Sequence, residues 1–239
     1  MDQVAWLMAA QAGRIQGVPL SEAPPVLHST LQMVYDQARQ KTWKPLAHAI
    51  LHGDPTSWAA EIDAKARYAV SVARWSQLLV RRAKQVMPDE LNPEDVEPTE
   101  TFVSTLLVKS MANEWVEEVV VRAALYLEVS ASRLNWSVAL GQVAAVDVGE
   151  AGWKNWPARP LLFTCLMVAS KMADDGCWPN NVWASLLQQD TRTINAWERL
   201  FLSDGLEWNL HVNSCVYAVY KTSLVAAPRL SSTNDCVVQ

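Results

Sequence analysis

The chain has 239 residues, enough for one large domain or a domain with an elaborate extension. Half of the residues are apolar, 19% are charged and only 8 are glycine, the proportions of an ordinary globular protein that favours helices. A formal charge of −5 supplies no basic stripe for nucleic acid, and no apolar run approaches the roughly 20 residues that span a bilayer.

The pattern predicts a first amphipathic helix over residues 3–14. Its VAWLMAA segment is short and preceded by Asp2, where a signal peptide wants positive charge. Gly13 to Gly17 closes it. Pro24 and Pro25 open a second helix, running to about Lys41 with Leu27, Leu31, Val34, Tyr35 and Ala38 on one side. Pro45 and Gly53-Asp54-Pro55 break the chain again. A long helix follows from Thr56, with Thr56 or Ser57 as its cap and Trp58, Ile62, Tyr68, Val72, Trp75 and Leu79 at helical spacing. Arg81, Arg82 and Lys84 read as its solvated end.

Residues 88–100, PDELNPEDVEPTE, hold three prolines and several carboxylates and read as a linker. The expected organisation is an N-terminal helical extension over 1–90, a second unit over 91–226 and a mobile tail over 227–239. Within the second unit, helices are predicted at Thr99–Met111, with Phe102, Leu106, Leu107 and Ser110 inward, and at Glu114–Ser132, with Trp115, Val119, Ala123, Tyr126 and Leu127 in register. Residues 133–156, with Gly141, Gly149 and Gly152, carry a poorer pattern. Further helices are predicted at Pro157–Met172, Pro179–Leu187, Thr193 to about Ser203 and Ser214–Leu224. The segment from Leu161 to Ala169 is apolar almost all round, which places it inside other helices. The fold class is therefore all-α, built around one central apolar helix.

Cys165, Cys177, Cys215 and Cys236 are scattered, without CxxC spacing or a nearby histidine pair. They fit a reducing compartment, cytoplasmic or nuclear, and argue against a zinc site or disulfide framework. His28, His48, His52 and His211 have no carboxylate or cysteine at a motif spacing. His48 and His52 lie four apart, but Gly53 follows and no third ligand is near. No GxSxG, P-loop or HExxH occurs. The expectation is a non-enzyme, with no cofactor and no metal of its own.

The order of residues is more telling than their period. WPARPLLFTCLMVASKMADDGCWPNNVWASLL (156–187), with a hydrophobic helix ending in Ala-Ser-Lys, then Asp-Asp, a tryptophan and a short helix, resembles the third and fourth helices of a cyclin box. NAWERLFLSDGLEWNLHV (195–212) is similar to the fifth, SCVYAVYKTSL (214–224) to the helix after the box, and EEVVVRAALYLEVSASR (117–133) to the second. The nearest subgroup is the single-box type of cyclin Y and the yeast phosphate-signalling cyclins, and the resemblance covers roughly 99–226. It implies a five-helix cyclin box and a cyclin-dependent-type protein kinase as partner, with ATP and Mg²⁺ belonging to that kinase. The chain departs from the family in a longer 133–156 connection and an extra residue near Asp204-Gly205. It also lacks the Met-Arg-Ala-Ile-Leu docking patch and a second box.

Lys171 alone is a lysine at a helix C-terminus, stabilising the last carbonyls. Glu198 alone is an exposed carboxylate in the first turns of a helix. The resemblance implies that the two pair and face the kinase. Asp174 and Asp175 are turn residues that the same resemblance places at the entry to the fourth helix, near the kinase. Trp178, Trp183, Trp197 and Phe201 read as packing. The rival expectation is a cyclin-fold scaffold that activates no kinase.

Overall fold

The computed structural model describes residues 3–37, 55–89, 91–110, 115–133, 158–173 and 178–226. Among these the architecture is all-α, with no strand. In chain order the helices are α1 (Gln3–Gln16), α2 (25–37), α3 (Pro55–Val86), α4 (Val96–Ser110), α5 (Val116–Ala131), α6 (Ala158–Ala173), α7 (Asn180–Leu187), α8 (Thr191–Leu200) and α9 (Ser214–Ala226). Several expectations lie outside the described residues: the ends at Ala38 and Lys41, the Pro45 and Gly53 breaks, His48 and His52, the bulk of 133–156, Cys177, Cys236 and the 227–239 tail. So does the side chain of Trp58.

α3 is the long strut, 32 residues or roughly 48 Å at the standard rise. It begins at Pro55, so Thr56 and Ser57 are inside the helix and do not cap it; proline suits a first turn, where its missing N–H is no loss. Ile62, Ala66, Ala69, Ala73, Ser76, Val80 and Ala83 form one buried stripe, and Tyr68, Val72, Trp75 and Leu79 a second beside it. Two stripes let α3 pack on α1 along one side and on α4 and α5 along the other. Gln11 Nε2 donates to Asp63 Oδ1 at 2.5 Å, tying α1 down, while α2 is held on α4 through Gln37 Nε2 to Val108 O (3.2 Å) and Thr105 Oγ1 to Met33 Sδ (3.2 Å).

The basic end of α3 is engaged, which corrects the expectation of a solvated cluster. Arg82 Nη2 pairs with Glu128 Oε2 of α5 at 2.5 Å, its Nε donates to the Tyr220 hydroxyl of α9 at 3.3 Å, and the guanidinium lies 5.7 Å from that ring's centroid. Lys84 Nζ donates to the carbonyls of Pro88 and Leu91, stitching the chain's exit from α3. In the proline-rich stretch a 3₁₀ turn over Pro93–Asp95 leads into α4 at Val96, and Pro98 sits in the first turn, where it costs no intrahelical bond. α4 folds back on α3. Glu100 of α4 is half-buried in that seam, hydrogen-bonded to Gln77; burial pushes its pKa up to about 7, Glu97 adds to the rise, and Gln77 and Arg81 work against it.

α6 is buried from Pro160 to Ser170 without a break. It packs against α5, α4 and α8, and its one early hydroxyl, Thr164 Oγ1, is satisfied by the Pro160 carbonyl at 2.7 Å. Phe163 of α6 meets Trp183 of α7 edge-on at 5.8 Å between centroids and Trp197 of α8 at 6.3 Å. Trp178 packs on Trp183 at 5.6 Å. The tryptophans of α7 and α8 therefore close the core, as expected. Phe102, Ser110 and Trp115, predicted inward, are half-buried at its margin.

α8 ends in a π-helical turn, Phe201–Gly205, where Leu206 N donates to Phe201 O at 2.9 Å. That i→i+5 bond is what makes the turn π-helical. Glu207 (φ 49°) and Trp208 (φ 60°) then take left-handed backbone, and Trp208 is 64% exposed. Tyr126 of α5 holds this exit by donating to Leu210 O at 2.9 Å.

Candidate functional site

Lys171 lies in the last turn of α6, where the buried helix emerges from the core. A short connection then delivers the chain to α7, which starts at Asn180 with Pro179 in extended backbone before it. Pro179 makes no side-chain cap, and the Asn180 amide points elsewhere. Lys171 Nζ donates to Asn180 Oδ1 at 2.5 Å and to Glu198 Oε1 at 2.6 Å. Asn180 Nδ2 in turn donates to Glu198 Oε2 at 2.5 Å and to Asn195 Oδ1 at 2.7 Å. Three helices thus converge on one closed polar knot, with the lysine's charge held by a carboxylate that also accepts from an amide.

The knot is neither buried nor free. The side chains of Lys171 and Glu198 are 22% and 19% accessible. A pair so placed has lost part of its hydration on folding and is ready to lose the rest under a partner, where misplacement costs more than at an open surface. Glu198 is in the second half of α8 and not in its first turns, because the helix starts at Thr191, capped by Asp190 accepting from Arg192 N at 3.2 Å. Met172, 43% exposed, and Val182, 37% exposed, lie in the sequence beside Lys171 and Asn180 and supply apolar surface on the same helices.

The structure therefore brings Lys171 and Glu198 together and adds Asn180 and Asn195. Asp174 and Asp175 lie outside the described residues. The two asparagines carried no usable signal in the sequence: an Asn after proline reads as an ordinary helix start, and only the placing of α7 beside α6 sets it against a lysine nine residues earlier. Other ion pairs either brace a single helix, as Arg122 with Glu118 at 2.8 Å within α5, or tie two together, as Lys221 of α9 with Glu117 of α5. Among the described residues no group of three His, Cys, Asp or Glu side chains is disposed to hold a metal ion, and no helix is long and apolar enough to cross a membrane. Cys165 is fully buried, which pushes its thiol pKa up and leaves it unsuited to nucleophilic work. Comparison with family models, curated proteins and solved structures gives no match.

Proposed function

We propose that the chain is a cyclin-like regulatory subunit that binds a cyclin-dependent-type protein kinase through the face carrying Lys171 and Glu198. In this reading α4 to α8 are the five helices of a cyclin box, α6 the central one, and α9 the helix that follows. The observation that carries it is the 2.6 Å contact between Lys171 and Glu198, 27 residues apart, where α6 emerges from the core. That is the pairing the cyclin resemblance implies from sequence. The bound face would hold the kinase's αC helix inward, complete its active-site Lys–Glu pair and order its activation loop, a shift of population driven by differential binding. ATP and Mg²⁺ are the kinase's, and the chain has no catalytic step of its own. Asp174 and Asp175 belong to the same face in this reading.

The test compares charge reversal with charge exchange. Lys171→Glu and Glu198→Lys should each lower kinase co-purification by about 100-fold, since each leaves like charges facing under a partner. The exchanged double variant re-forms an ion pair inside the chain, so it should recover melting temperature while kinase association stays lost. If the double variant recovers both, the pair only braces helices. If no kinase co-purifies with the parent chain and no kinase is stimulated by it, the scaffold reading replaces this one. That rival has its own observation, since α9 turns Val216 (53% exposed) and Val219 (71% exposed) outward.

A further inference from the structure

α8 buries Thr193, Ile194 and Trp197 and leaves the opposite side open. There Arg192, Asn195, Ala196, Arg199, Leu200 and Ser203 line a shallow groove. Their spacing of three and four residues makes a single straight seam. Ala196 is its low point, with an arginine one turn away on either side, so the backbone of a visiting helix can come close there.

The charges of the seam are unanswered. Ion pairs among the described residues include Asp63–Arg67, Arg82–Glu128, Glu118–Arg122, Arg133–Glu207, Lys171–Glu198 and Glu117–Lys221, and none of these involves Arg192 or Arg199. Of the acidic groups nearest in sequence, Asp204 is exposed on the π turn and pairs with neither arginine, and the other two are engaged elsewhere. Asp190 accepts from the Arg192 backbone N–H, and Glu198 is held by Lys171 and Asn180. Two guanidinium groups therefore stand ready on a chain whose net charge is −5. A guanidinium presents a planar fork matched to a carboxylate. Asn195 also belongs to the polar knot, so the seam is continuous with the Lys171–Glu198 face.

We propose that the α8 seam is the docking surface for a partner helix carrying two carboxylates seven residues apart, set to meet Arg192 and Arg199, with an apolar side chain between them over Ala196 and Leu200. Seven residues advance a helix by roughly 10.5 Å, the same advance that separates Arg192 from Arg199 along α8. Two helices packed nearly parallel or antiparallel then present charge to charge at both ends and an apolar residue at the notch. The assignment rests on the kinase reading for the identity of the partner and specifies the chemistry by which the partner's helix is chosen.

The experiment uses the full chain and fluorescence anisotropy with three alanine-based helical peptides of equal length. The first has two glutamates seven residues apart with a leucine between them. The second has the same composition with the glutamates five apart, on different faces, and the third has lysines in place of the glutamates. The first should bind about tenfold more tightly than either control, the preference two solvent-rimmed charge pairs can supply, and weaken as salt is raised. Arg192→Gln/Arg199→Gln should abolish the preference with an unchanged melting curve, and Arg192→Glu/Arg199→Glu should transfer it to the lysine peptide. Equal binding of the two glutamate peptides, or no binding of any, overturns the proposal. Tighter binding of a single-stranded oligonucleotide than of the first peptide overturns it as well, because the seam would then read bare negative charge. Failure here is separable from failure of the kinase reading, which is measured on Lys171 and Glu198 variants and does not involve the arginines.

Discussion

Glu100 is a carboxylate kept in a seam where burial favours its protonated form. Its folded pKa, about 7, stands above its ordinary value of 4.5. The folded state therefore holds this proton more tightly than the unfolded chain, so Glu100 costs stability progressively as pH rises from 4.5 to about 7, and the full cost stands above 7. Stability should be regained as pH falls from 7 toward 4.5. Glu100→Gln keeps the shape and the link to Gln77 while removing the charge. It should raise stability at pH 8 by about 1–2 kcal/mol, allowing for partial solvent screening, and flatten the pH dependence between 5 and 8 in urea titrations. An unchanged slope would show that Arg81 neutralises the carboxylate fully. The candidate site was legible at this same scale only in part. Lys171 and Glu198 could be found because a sequence order resembling the cyclin box places them, whereas neither has a distinctive neighbour. Asn180 and Asn195 could not be found, since an amide announces its partners only once the fold has chosen them.

At the scale of elements, α9 shows how a helix can be attached chiefly by polar contacts. Only Leu224 of its side chains is buried. The rest of the attachment is Lys221 on Glu117, Tyr220 donating to Ala124 O at 3.1 Å, and Arg82 against both Tyr220 and Glu128. Arg82→Met should loosen α9 selectively: amide exchange in Ser214–Ala226 should quicken by about tenfold, equivalent to about 1.4 kcal/mol of local stability, while α6 stays protected. Uniform acceleration would mean that Arg82 supports the whole fold instead. The periodicity of α3, α5 and α6 was plain in the sequence because each buries a continuous stripe. Their ends were less so. α3 starts at Pro55 rather than with a Thr56 or Ser57 cap, and α4 starts at Val96 within what reads as a linker, because proline is as compatible with a helix's first turn as with a break. Arg82 read as solvated for a related reason, since its partners lie 46 and 138 residues away.

On the scale of the whole molecule, the buried side chains of α1 to α9 join one core. The acidic, proline-rich stretch after α3 reads as a boundary in sequence, yet α3 packs on α4 and α5 across it and touches α9. Removing residues 1–90 would uncover the sides of α4 and α5 that Trp75, Leu79 and Val80 now cover. Each such side chain is worth about 1.5–3 kcal/mol on burial, so the fragment 91–239 should be insoluble or bind hydrophobic dye without a cooperative melt. A soluble, cooperatively melting fragment would show two independent units. The π turn at Phe201–Gly205 has a molecule-wide effect of another kind. It is where the helix stops and the chain changes direction. Up to Trp197 the α8 helix is phased so that its indole enters the core; past Gly205 the helix has ended, Leu206 still goes in, and left-handed backbone at Glu207 and Trp208 turns the second indole out. The turn acts as the end stop of the rod. The core sets the angle of the helix before it, while the segment after it, tethered by Tyr126 to Leu210 O and by Arg133 to Glu207, holds a tryptophan out toward the surroundings.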